Sequence, residues 1–241
     1  MTIVLILGSA PSAVQAAAWP RGAFDHIVAI NNAHMIRPDW THAIYPFDFA
    51  PERRPRAARP GQSIVTQEEF VPAMNALGGF VWGGGTMAFT AAYWALHALR
   101  PSVLAWFGCD MVYPASGRTH FYGAGTPDPL RDDITLRSLE AKSARFVVMA
   151  AQRGCAAVNL SDAPSRLVAP RARLSALGIA RPAPFDPALA ATAAAAEAAA
   201  GYHVASGRYW DEAHRFSPAV IDRIDGLWLA AARPGCDRLS A

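Results

Sequence analysis

The sequence predicts an α/β fold: a doubly wound, mostly parallel, Rossmann-like sheet followed by a C-terminal helical extension. Two observations predict the sheet. Short, continuous apolar runs recur through the first two thirds of the chain, each ending in small or polar residues, and stretches with helical periodicity separate them. Strands buried on both faces of a parallel sheet read this way, because crossover helices cover both sides. A third observation predicts the extension: after about Pro170 the texture changes to proline-punctuated, alanine-rich sequence.

The elements follow in order. Ile3–Leu7 is the first strand, and Gly8-Ser9-Ala10-Pro11-Ser12 turns from it into a helix over Pro11–Ala18, with proline in the first turn where its missing N–H costs nothing. His26–Ile30 is the second strand, ending at Asn31-Asn32. Residues 42–46 are the third, leading to Asp48, and Ser63–Val65 the fourth, leading to Thr66. A helix over residues 86–99 precedes the strand Val103–Phe107, which ends at Gly108-Cys109-Asp110. A helix over residues 135–153 carries Leu136, Leu139, Ala144, Phe146 and Val147 at helical spacing. The last strand, residues 156–158, leads to Asn159 and Ser161. Residues 1–170 form the nucleotide-binding or catalytic unit and 171–241 the extension. In that extension Asp186-Pro187 starts a helix over residues 188–205 that ends near Gly207. A short helix over 208–216 follows, and Ser217-Pro218 begins another reaching about Ala232. Such a tail suits a helical cap or a homo-oligomer contact.

Composition narrows the function classes. The chain has 241 residues, 52% hydrophobic and 17% charged, with mean hydropathy +0.13, which excludes disorder. A net charge of +3 and a pI near 9.0 fall short of a nucleic-acid footprint, so no nucleic-acid partner is expected. Lys142 is the only lysine. One basic cluster stands out, Arg53, Arg54, Arg56 and Arg59, in a proline-rich loop; it is either a solvated loop or a site for an anionic acceptor, phosphate or membrane surface. Cys109, Cys155 and Cys236 form no disulfide framework and no metal-ligand pattern, so no metal site is expected. The apolar N-terminal run is too short for a signal peptide and no membrane span is apparent, so a soluble, cytoplasmic chain is expected.

In doubly wound sheets ligands sit beyond the carboxyl ends of the strands. Those ends carry Ser9, Asn31, Asn32, Asp48, Asp110, Asn159 and Ser161, including three of the four asparagines. Three segments there could carry chemistry. The Gly8–Ser9–Ser12 turn offers backbone and hydroxyl donors to an anion. Gly83-Gly84-Gly85-Thr86 opens a second helix and could cradle a phosphate or ribose. The loop after Asp110 gathers Tyr113, Arg118, His120 and Tyr122, and a loop histidine beside a strand-end crevice suits general acid/base work. Asp132-Asp133 reads as a helix cap, and no G-x-S-x-G elbow supports covalent hydrolysis.

Taken together these segments resemble the sialyltransferases of glycosyltransferase family 42 and the related DUF115 proteins, which include archaeal 6-hydroxymethylpterin diphosphokinases. The resemblance rests on G-x-x-P-S at Gly8 to Ser12, a second strand ending in Asn31 and a Gly/Thr turn at Gly84 to Thr86. It continues with G-x-D-[FM]-x-Y at Gly108 to Tyr113 and a final P-S-x-L at Pro164 to Leu167. It covers roughly residues 1–168 and implies a GT-A-like variant of the fold, with CMP-sugar contacts at Ser9, Asn31 and Thr86. The family's G-N-G-P-S is G-S-A-P-S here, and its lid histidine lies further along than His120, in a stretch where residues 129–137 have none.

The leading expectation is therefore a metal- and cofactor-independent glycosyltransferase moving a sialic-acid-like or Kdo-like sugar from a CMP-sugar donor to a glycan acceptor. Gly8, Ser9, Ser12, Asn31, Asn32, Gly84, Gly85 and Thr86 would hold the nucleotide. His120 would take the acceptor proton, with Asp110, Tyr113 and Tyr122 completing the catalytic set. One rival is Mg²⁺-dependent pyrophosphoryl transfer from ATP, with Asp48 and Asp110 as metal ligands. The other is a nucleotide- or glycan-binding protein without catalysis.

Overall fold

A computed structural model describes residues 1–125 and 131–232; Cys236 and the end of the extension, 233–241, lie outside the described residues. Six parallel strands form one sheet in the order β4-β3-β2-β1-β5-β6: β1 Ile3–Leu7, β2 His26–Ile30, β3 His42–Ile44, β4 Ser63–Val65, β5 Val103–Phe107 and β6 Ala156–Asn159. This is the predicted doubly wound order. The chain runs outward from β1 on one side and returns to add β5 and β6 on the other, so the switch point lies between β1 and β5. The third strand stops at Ile44, short of Pro46, because proline has no N–H for the ladder. The last strand gains Asn159, which donates its N–H to the Pro170 carbonyl.

Alternate residues feed two cores. Val4, Ile6, Val28, Ile30, Leu104 and Trp106 face α1 (Gln67–Asn75), α3 (Met87–Ala98) and α4 (Leu139–Gln152). Leu5, Leu7, Ile27, Ala29, Ala105 and Phe107 face the other way and are covered by 3₁₀ segments, Pro11–Ala18 and Leu174–Ile179. The helix expected after β1 is thus a 3₁₀ helix, and its buried alanines explain why. Ala13 and Ala16 are three residues apart, the period at which 3₁₀ side chains eclipse, and a methyl is small enough to let the turn lie flat on the sheet. Two helices escaped prediction: α1, and the short α2 (Phe80–Gly83). Thr66 and Glu69 close a capping box on α1, and that helix carries Pro72 inside it. The helix expected over 135–153 is split into a 3₁₀ turn at Ile134–Leu136 and α4, because Ser138 caps α4 by accepting from the Ala141 N–H.

The extension divides between the two faces. Residues 171–180 close the 3₁₀-covered face, where Leu177 is buried, while α6 (Pro218–Ala231) packs on α4 and α5 (Pro187–Ala200) packs on α6. The first tail helix stops at Gly201, earlier than expected, because Gly201 takes the left-handed cap. The expected 208–216 helix is a 3₁₀ helix, Tyr209–Arg215. Two ion pairs join this layer to α4: Lys142 with Asp225 at 2.7 Å and Arg145 with Glu197 at 2.7 Å. Among the described residues no helix is long and apolar enough to cross a membrane.

At the amino ends of the strands His26, His42 and Ser63 sit in a row, with His42 Nε2 3.3 Å from His26 Nδ1 and His42 Nδ1 2.7 Å from Ser63 Oγ. Burial, and the neighbouring His26 charge, hold the His42 pKa down to about 4. A folded value below the unfolded one means His42 contributes stability above about pH 6.5, and that contribution is lost as pH falls toward 4. Thermal melts should therefore show a fall in Tm over that window that His42→Asn flattens; an unchanged slope would exclude His42 as its source.

Candidate functional site

The carboxyl edge of the sheet is built around an unusually close meeting of β1 and β5. Gly8 donates its N–H to Phe107 O at 2.8 Å, and Ala10 donates to Gly108 O at 3.0 Å. A Cβ at Gly8 would collide with the Gly108 carbonyl and lie 2.6 Å from Cys109 Sγ. Gly108 itself has φ +71° and faces Ala13, so only glycines permit this approach. The Gly8 and Ala10 amides are thus spent on β5. Ser9 and Ser12 remain half-buried, and their hydroxyls make no hydrogen bond to the described residues.

One strand over, Asn31 leaves β2 with φ +51°, a left-handed conformation uncommon outside glycine, and its Oδ1 is buried without a hydrogen-bond partner. Met111, in the loop four residues past the end of β5, has φ +54°. Positive φ at non-glycine residues is a feature that clusters at ligand sites. Asn32 is buried at the start of the 3₁₀ helix Asn31–Met35.

The loop after β5 folds back over β1, with the Phe121 N–H donating to Ser9 O at 3.0 Å. This brings the backbone between His120 and Tyr122 to the Gly8–Ser12 turn. His120 stacks on Tyr122 with ring centres 4.9 Å apart and lies 5.9 Å from the Tyr113 ring. Its Nδ1 is 2.9 Å from Thr119 Oγ1, which also donates to Gly125 O at 3.1 Å and accepts from Gly125 N at 2.9 Å. A hydroxyl has one proton to give: where Thr119 gives it to Gly125 O, the matching His120 tautomer carries its proton on Nδ1 and its lone pair on Nε2. Burial lowers the His120 pKa, favouring the neutral ring.

Asp110 is buried and tied to β6: Asn159 Nδ2 donates to its Oδ1 at 3.3 Å and to Ser165 Oγ at 3.1 Å, and the Asp110 carbonyl accepts from Arg166 N. It fixes the exits of β5 and β6 to each other. Asp48 lies exposed beyond β3, and among the described residues no three His, Cys, Asp or Glu side chains converge.

The glycine turn before α3 differs from the expected cradle. Gly84 donates to Phe80 O at 2.8 Å and Gly85 donates to Thr135 Oγ1 at 2.9 Å, so neither amide is available to a phosphate. Asp133 and Arg131 hold Tyr209 of the extension against Gly85, where a Cβ would meet the Tyr209 hydroxyl. Burial, and the bond to Asp133, push the Tyr209 pKa up to about 12, keeping it a donor. Thr86 is buried, capping α3 by accepting from Phe89 N at 3.4 Å. The tail fills this turn, and nothing local in the sequence signals that.

The chain matches no protein-family model, no curated protein and no solved structure.

Proposed function

We propose that the chain is a glycosyltransferase that uses a CMP-activated acidic sugar, with the donor held at the exits of β1 and β2. The observation that carries this reading is the strained Asn31, whose buried Oδ1 has no partner. A buried acceptor left unsatisfied costs about 1–3 kcal/mol. A ligand donor would remove that cost, and the exocyclic amine of cytosine or a ribose hydroxyl has the right chemistry. Ser9 and Ser12 supply hydroxyl donors for the phosphate beside it.

His120 then acts as general base. Its Nε2 takes the acceptor hydroxyl proton while the acceptor oxygen bonds to the anomeric carbon and the bond from that carbon to the CMP phosphate oxygen breaks. Tyr122 or Tyr113 steadies the departing phosphate, and Asp110 positions the loop through Asn159. A base of this kind accounts for about 10²–10⁴-fold in rate, with orientation in the crevice supplying more.

The test is release of CMP from CMP-sialic acid and CMP-Kdo, with and without a glycan acceptor and with and without a chelator. Release indifferent to chelation supports the reading. Turnover of ATP that chelation abolishes would replace it with pyrophosphoryl transfer, and nucleotide binding without turnover of any donor would replace it with a binding protein.

A further inference from the structure

We propose that the arginine-lined cleft beside the candidate site is a phosphoryl-binding site, taking a phosphate or pyrophosphate group carried by the acceptor. The role as acceptor site rests on the transferase reading; the binding itself does not.

The cleft has a volume of about 790 Å³ and opens between the 3₁₀ helix Asn31–Met35, the loop carrying Arg53, Arg54, Arg56 and Arg59, and Tyr122. It therefore shares Tyr122 with the proposed transfer site and borders Asn31 through its neighbour Asn32. Arg53, Arg56 and Arg59 are exposed, and their guanidinium groups have no partner among the described residues. One carboxylate, Glu52, lines the same cleft.

The loop is fastened at several points, which a merely solvated loop would not need. His34 Nε2 is 2.9 Å from the Arg53 carbonyl. Arg54 donates to Phe47 O and Phe49 O at 2.9 and 2.8 Å and lies over the Tyr45 ring. Gln62 accepts from Arg59 N and donates to Pro38 O and Trp40 O.

Arg54 anchors the loop, which leaves three exposed guanidinium groups, Arg53, Arg56 and Arg59, lining the cleft against one carboxylate, a charge excess that an entering anion offsets. Arginine's planar fork matches phosphoryl oxygens in pairs, so a phosphate or pyrophosphate dianion is the ligand chemistry that fits. Exposed apolar side chains flank the arginines: Met35 at 55% in the lining and Phe47 at 65%, whose carbonyl holds Arg54. That favours a phosphoryl group on a lipid over a soluble one.

The experiment titrates inorganic pyrophosphate into the whole protein with and without saturating CMP, and into an Arg53→Gln/Arg56→Gln double variant checked for an unchanged Tm. Co-sedimentation with phosphatidylcholine vesicles, with and without phosphatidic acid, identifies the source. Saturable pyrophosphate binding that weakens at least tenfold in the variant supports the proposal. Added capture by phosphatidic acid vesicles then assigns a lipid acceptor, and its absence a soluble one. No pyrophosphate binding, binding that CMP displaces, or vesicle capture without pyrophosphate binding overturns it. Pyrophosphate binding in a protein that ignores CMP retains the phosphoryl site while removing the transferase reading.

Discussion

Replacing Glu197 with alanine is expected to destabilise the fold by about 3–5 kcal/mol, the usual consequence of leaving one member of a buried ion pair without its partner. Glu197 is 8% exposed and accepts from Arg145 Nε at 2.7 Å, Arg145 Nη2 at 2.8 Å and Trp228 Nε1 at 2.6 Å. Burial lowers the Arg145 pKa, but the Glu197 charge, with a smaller contribution from Tyr93, outweighs it and raises the pKa; a guanidinium stays protonated in proteins even without that partner, so Glu197→Ala leaves a buried cation bonded to Tyr93 Oη and Leu77 O. Coupling between α4, α5, α6 and the core around Tyr93 is lost together. For a chain of this size the loss corresponds to a fall in Tm of roughly 6–20 °C. Asp222→Ala is the control. Its pair with Arg137 is as short, 2.6 Å, but lies at the surface, and exposed pairs contribute about 0–1 kcal/mol. Equal Tm shifts for the two variants would contradict the argument from burial.

His120→Ala should lower the transfer rate by about 10²–10⁴-fold while leaving the Kd for CMP within twofold or so of its starting value. The split follows from the proposed arrangement: the imidazole is aligned by Thr119 and Tyr122, whereas the proposed donor contacts are Asn31, Ser9 and Ser12. The pH profile adds a second reading. Because burial lowers the His120 pKa, the acid limb of kcat/KM should lie below the ordinary histidine value and vanish in the variant. An unchanged rate, or an unchanged acid limb, would remove His120 from the chemistry.

Much of the fold was legible because each parallel strand is short, mostly apolar and followed by small or polar residues. The covering segments were harder to read. At residues 11–18 the spacing of buried Ala13 and Ala16 distinguishes a 3₁₀ from an α-helix only once the sheet beneath is known. The first α-helix has its capping signal in Thr66 and Glu69, but Pro72 argues locally against a helix that packing nevertheless sustains. Gly201 and Gly207 both take left-handed conformations, so composition could not choose which one ends the tail helix.

The candidate site divides in the same way. Ser9, Asn31, Asp110 and His120 were marked by strand ends and by a short loop, which are local features. The occupation of the Gly84-Gly85 turn depends on Tyr209, and the orientation of the His120 ring depends on Thr119 and Tyr122; both are consequences of folding that spacing does not encode.

The most direct measurement is a calorimetric titration of CMP into the wild-type protein and into Asn31→Gly, in a chelating buffer. Glycine accepts the positive φ at residue 31, so stability should stay within about 1 kcal/mol while the Oδ1 acceptor disappears. The predicted result is metal-independent CMP binding to the wild type that weakens at least tenfold in Asn31→Gly, about 1.4 kcal/mol or more. Equal affinity in the two proteins, or no CMP binding to the wild type, would contradict a donor site at the exits of β1 and β2.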